Sequence, residues 1–128
     1  MTLKASFAAA ACAGCNEAFK VILDEPWRIE RLNQNTKQFI GGLKGMGFDT
    51  MLTETAIVPV LCGDDDMAFA MTREAQHNDV FVLPVASPAV PEGLARLRAT
   101  VTAAHDPSEI ERAMDVIGEA GKKLGLIK

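Results

Sequence analysis

Apolar positions along the 128-residue chain change period twice, and those changes divide it into elements. From about Ser6 to Asp24 the sequence is alanine-rich and free of proline, which favours a helix on propensity alone. Pro26 closes that run and suits the first turn of a second helix. There Trp27, Leu32, Phe39, Leu43 and Met46 recur at helical spacing, and Gly47 supplies a left-handed cap. From Ile57 to Cys62 the chain becomes β-branched and reads as a strand in which Pro59 must avoid a central ladder position. Gly63 stops it, and Asp64, Asp65 and Asp66 open a helix with Met67, Ala68, Met71 and Ala75 on its inner face. The run from Val80 to Val85 reads as a second strand, buried on both faces.

A loop shaped by Pro88, Pro91 and Gly93 follows, because proline fixes φ and removes a donor while glycine permits turns. From Ala95 to Thr102 the alternation is strict, the period of a half-buried strand. Asp106-Pro107-Ser108-Glu109 then combines a cap, a proline at the first helical position and a glutamate three residues after the cap. Ile110, Ala113, Met114, Ile117, Ala120 and Leu124 continue that last helix with one face toward a sheet. The order is two helices, then strand, helix, strand, strand, helix, an α+β arrangement in a chain the size of one domain.

Charge and composition narrow the function. The net charge of -4, with no basic block, excludes a nucleic-acid surface of the usual kind. No apolar run approaches the roughly 20 residues of a membrane span. Lys4, the alanines and Cys15 imitate a lipoprotein signal, but the helical pattern runs on unbroken through Phe19, Val21 and Ile22, so a continuous helix is expected. Three cysteines in a chain of this length do not make a disulfide framework, and they point to a reducing, cytoplasmic setting. Cys12 and Cys15 have the spacing of a redox or zinc pair, yet they sit inside an alanine-rich helix and read as two small helical residues. The three aspartates could bind Mg²⁺ or Ca²⁺, but a helix start accounts for them more simply. No nucleophile, base and acid triad stands out, and His105 is expected to bond backbone at the end of the sheet.

The third strand carries the candidate chemistry. Arg96, Arg98, Thr100 and Thr102 share one side of it, opposite Ala95, Leu97, Ala99 and Val101. Two guanidiniums on one face can clamp a carboxylate or phosphate bidentately. A merely solvated strand face produces the same alternation, so the pattern alone leaves both readings open.

Four motifs taken together resemble one family: Thr55-Ala-Ile-Val-Pro-Val-Leu-Cys-Gly-Asp64, Pro88-Ala-Val-Pro-Glu-Gly93, Ala95-Arg-Leu-Arg98 and Thr102-Ala-Ala-His105. They are similar to the C-terminal domain of the α-oxoamine synthases, pyridoxal-phosphate (PLP) acyltransferases of the class II aminotransferase-like group. The likeness extends to the helix pair through Glu25-Pro26, Leu32 and Asn35. It implies the small domain of a fold-type I enzyme with a mainly antiparallel sheet. Residues 1–47 would form a helical pair connecting domains and residues 48–128 an α/β sandwich.

The implied activity is the condensation of an amino acid with an acyl-CoA or other acyl thioester, usually with loss of CO2, in a homodimer. By the resemblance Arg98 would hold the amino-acid carboxylate, Arg96 would support it, and the loop containing Ser87 and Pro88 would border the acyl-thioester entrance. The family's cofactor lysine is missing: Thr2-Leu3-Lys4-Ala5 lacks the glycines of that motif, so Lys4 does not fill the role. The chain is therefore expected to bind no cofactor and catalyse nothing by itself. A different reading of the same element order is a free-standing ferredoxin-like module that binds or senses a small molecule.

Overall fold

The computed structural model describes residues 8–128. The start of the first helix near Ser6, the Lys4 motif and the beginning of the signal-like segment lie outside that range. Four helices and three strands follow one another as α1 (Ala9–Asp24), α2 (Trp27–Met46), β1 (Ile57–Gly63), α3 (Asp65–His77), β2 (Leu83–Val85), β3 (Ala95–Thr100) and α4 (Pro107–Leu124). The α+β class and the order of elements are those expected from the sequence. No helix among the described residues is long and apolar enough to cross a membrane.

Both strand pairings are antiparallel, in the order β1-β3-β2, so the alternating arginine strand is the central one. β1 is an edge strand. Its Leu61 N–H points away from β3 to the Asp49 carbonyl at 2.9 Å. Pro59, two residues earlier, therefore turns its donor-free nitrogen outward, where no ladder bond is lost. β2 is shorter than the six-residue run predicted. Val80 donates its N–H to Ala75 at the end of α3, which closes that helix and keeps residues 80–82 out of the ladder. Nor is this run buried on both faces, since Phe81 is 77% exposed and only Val82 is fully inside.

One face of the sheet is covered by α3, with α4 packed on α3 and the C-terminal half of α2 packed on α4. Val58, Val60, Leu97 and Ala99 from the sheet meet Met71, Ile117, Phe39 and Leu43 in this core. The two α3 and α4 starts form as their sequences require. Asp64 Oδ1 accepts the Met67 N–H at 2.7 Å, and the Asp106–Glu109 capping box closes reciprocally. Gly47 ends α2 at φ +102°, donating to the Leu43 and Lys44 carbonyls.

Trp27 departs from the predicted inner face and is half exposed, because α2 reaches the core only from Leu32 onward; the Arg28 guanidinium lies 4.7 Å over its ring. α1 buries none of its described residues, and Phe19 and Leu23 stand in solvent.

Glycines let α2, its following turn and α4 come together. A Cβ on Gly121 would lie 2.6 Å from the Phe48 ring, and one on Gly118 would lie 2.9 Å from the Met46 sulfur. Gly41, by contrast, faces open space in a helix interior. Gly121→Ala should lower stability by about 1–3 kcal/mol through overpacking. Gly41→Ala should raise it by up to about 1 kcal/mol through helix propensity, and urea melts of the two variants check both signs.

Candidate active-site face

The sheet has two unlike faces, and Arg96 and Arg98 lie on the one that no helix of the described residues covers. Register places Pro59, Arg98 and Leu83 side by side across β1, β3 and β2, with Leu61, Arg96 and Val85 as the next row. Directly opposed residues share a face, so the guanidiniums emerge between apolar neighbours. Ile57 and Leu83 are about half exposed there. This outward face is unusually apolar for a sheet bounded by water.

The two arginines are not equivalent. Arg96 is half-buried and folded back, its Nε donating to the Leu94 carbonyl at 3.0 Å and its Nη1 lying 3.2 Å from Met51 Sδ. Arg98 is exposed and makes no hydrogen bond or ion pair with any described residue. Arg28, Arg31 and Arg112 by contrast each hold a carboxylate, those of Glu25, Asp106 and Asp79. Arg98 alone on the sheet keeps a free planar fork, the geometry that binds a carboxylate through two parallel bonds.

The proline loop leads directly into β3. Ser87 and Pro88 are exposed, and the loop is tethered to α3 where Asp65 Oδ1 accepts the Ser87 N–H at 3.2 Å. Bonds from the Ala89 N–H to the Ala86 carbonyl and from the Leu94 N–H to the Pro91 carbonyl make two successive tight turns, with Gly93 at φ +82° as the third residue of the second. Asp64 and Asp65 are thus engaged in capping and loop anchoring.

The far end of β3 is held by residues that the alternation did not reveal. Asn35 of α2 is 2% exposed, and its Nδ2 donates to the Thr102 carbonyl at 3.0 Å and the His105 carbonyl at 2.8 Å. Arg31 reaches the same place, donating to His105 O at 3.3 Å and Asp106 Oδ1 at 2.6 Å. His105 takes the backbone role expected for it: its Nδ1 accepts the Thr102 N–H at 3.1 Å. The signal for Asn35 was present. It lies three residues after Leu32 and four before Phe39, a polar side chain in the apolar stripe of α2.

The cysteines do not converge. Cys12 and Cys15 are exposed on α1, whereas Cys62 is buried in β1. Among the described residues no three His, Cys, Asp or Glu side chains gather as metal ligands. Burial pushes the Cys62 thiol up to about 11, with Asp64 adding to the effect and a backbone hydrogen bond at Leu97 opposing it.

Comparison with known proteins identifies the family. The description "Aminotransferase class I and II" belongs to the family model that matches residues 1–117. The 8-amino-7-oxononanoate synthase of Bacillus pumilus is 41% identical over 113 residues, which are 88% of this chain and 29% of that protein. An 8-amino-7-oxononanoate synthase/2-amino-3-ketobutyrate coenzyme A ligase of Thermus thermophilus is 40% identical over 111 residues, 87% of this chain and 28% of the relative. Among solved structures, a serine palmitoyltransferase from S. paucimobilis with a bound PLP–myriocin aldimine superposes with a TM-score of 0.71 at 34% identity. That match covers 77% of this chain and 25% of the other.

The chain belongs to the class I and II aminotransferase family. Within it, the similarity is to the α-oxoamine synthases. It spans 28–29% of the length of those two curated relatives.

Two measurements test the local geometry. Asn35→Ala removes the shortest bond to each of two inward carbonyls, leaving Thr102 O only the His105 N–H at 3.4 Å and His105 O only Arg31 at 3.3 Å, and should cost about 1–3 kcal/mol, read as a lowered urea midpoint. In the native chain Cys12 and Cys15 should be alkylated rapidly at pH 8 and Cys62 only on unfolding. Because the Cys62 pKa is raised from 9.0 to about 11 on folding, its contribution to stability is fully present below pH 9 and lost as pH rises to about 11. Urea melts across that window should show the loss, and Cys62→Ala should flatten it.

Proposed function

We propose that this chain is the small C-terminal domain of a PLP-dependent α-oxoamine synthase, and that Arg98 is the group that receives the amino-acid carboxylate. The observation that carries the reading is the free fork of Arg98 beside an Arg96 whose Nε and Nη1 are already engaged. Arg96 then stiffens the strand. Apolar neighbours such as Ile57 and Leu83 would lower the local dielectric once covered, which strengthens a guanidinium–carboxylate pair. The loop at Ser87 and Pro88, tied to α3 through Asp65, borders the acyl-thioester side of the site.

PLP supplies an electron sink when bound. The described residues do not build a site for it: their lysines lie on α1, α2 and α4 or at the C-terminus, and none is on the sheet that carries Arg98. The cofactor and its lysine belong to the portion of the enzyme outside this chain, and the chain alone is inactive. That portion would also cover the apolar sheet face and the uncovered Phe19 and Leu23 of α1. Residues 1–47 serve as the helical connection to it and residues 48–128 as the sandwich that presents Arg98. The whole enzyme acts as a cytoplasmic homodimer on an amino acid and an acyl-CoA or other acyl thioester.

In that whole enzyme Arg98 binds one carboxylate and orients the bonds at Cα, so a point charge on a flexible stem is a poor substitute. Arg98→Lys should lower kcat/KM for the amino acid by about 10- to 100-fold, the worth of a charge-assisted hydrogen bond, while PLP absorbance stays unchanged. Arg96→Lys should have a much smaller kinetic effect. Unaltered amino-acid kinetics in Arg98→Lys would sink the assignment.

A further inference from the structure

Beside the end of β3, past the short β2, lies a cavity of about 350 Å³ lined mainly by residues of the helix-covered side of the sheet, with Thr100 as the one lining residue from the side that carries Arg98. Its size is that of a small-ligand pocket. The floor is apolar and rigid: Phe39, Val82, Val101, Ile110 and Ile117 are each at most 4% exposed. The mouth is polar, formed by Asp79 after α3 and by Glu109 and Arg112 on α4. Phe81 stands beside them with 77% of its surface in solvent, the residue expected to lie inside a strand.

Charge at the mouth selects the ligand. Asp79 Oδ2 accepts from Arg112 at 3.3 Å, and Glu109 Oε2 accepts the Asp106 N–H at 2.8 Å in the capping box. Oδ1 of Asp79 and Oε1 of Glu109 have no partner among the described residues, and two carboxylates against one guanidinium leave the mouth net negative. His105, also on the lining, commits its Nδ1 to Thr102. An anionic headgroup would meet those free oxygens and be repelled. A cationic one would find two acceptors and an exposed phenyl face, which attracts ammonium ions through its quadrupole.

We infer that this cavity is a binding site for an amphipathic ammonium ion, a primary amine on a short alkyl or aryl body, separate from the carboxylate clamp on the opposite face. The body fills the Phe39–Ile117 floor, and the ammonium lies between Asp79, Glu109 and Phe81. The inference does not depend on the reading of Arg98.

Titration of the chain with hexylammonium, hexanol and hexanoate, followed by methyl NMR, tests it. Hexylammonium should shift the Val82, Ala113 and Ile117 methyls and bind about fivefold more tightly than hexanol, the scale of a solvent-exposed ion pair, with hexanoate weakest. Asp79 sits at φ +62°, a conformation asparagine adopts readily, so Asp79→Asn keeps the turn. That variant should reduce hexylammonium to the affinity of hexanol, and Phe81→Leu should weaken it. Equal binding of all three probes, an Asp79→Asn variant that keeps the preference, or shifts confined to Ile57 and Leu83 on the other face would each overturn the inference.

Discussion

A single buried carboxamide ties the architecture together. Asn35 projects from α2 to the point where β3 has ended and α4 has not begun, and its amide donates to both carbonyls of that turn. Buried polar groups need partners, so the arrangement is demanding in both directions: Asn35 needs the turn and the turn needs Asn35. The bonds fix where the central strand stops, and Val101 N–H closes onto Ala56 just before the junction. Glycines on α4 then let Met46 and Phe48 approach closely, and the capping box starts α4 from local residues while Arg31 of α2 reaches Asp106 Oδ1.

Because the helices occupy one side of the sheet, the central strand presents Arg98 on the other. An ordinary two-layer protein would give that outer face to water and line it with polar side chains. Here Pro59, Leu61, Leu83 and Val85 surround the arginines instead. The asymmetry fits a domain whose uncovered face belongs inside a larger molecule, in keeping with relatives of which the chain matches only 28–29%. The difference between Arg96 and Arg98 matters in the same way. One guanidinium is held by Leu94 and Met51, and the other has no partner among the described residues. The cavity on the helical side is a separate environment, since its charges arise from the ends of α3 and α4.

Much of this was legible in the sequence. Strict alternation from Ala95 gave β3 its two faces, the Asp106 capping box located the start of α4, and Gly47 marked the end of α2. The motif series placed the chain in its family. Local signals of this kind work because capping, turn chemistry and side-chain period are properties of neighbouring residues. The same reasoning overextended β2, since a continuous apolar run from Val80 to Val85 does not show that Val80 is used to close α3 and that Phe81 turns outward. It also put Trp27 inside, because helical period cannot tell how much of a long helix reaches the core.

Chain chemistry by itself thus determined the elements, their order, the arginine face and the family. Tertiary structure decided which arginine is free, because Met51 lies 45 residues from Arg96 in sequence and meets it only in the folded chain. It likewise decided the partners of Asn35, 67 and 70 residues away, and the meeting of Asp79 with Arg112 across 33 residues. Periodicity reports the side of its own element on which a residue lies. Which distant group shares that side depends on how the elements pack, and that is where the arginine face and the cavity acquire their surroundings.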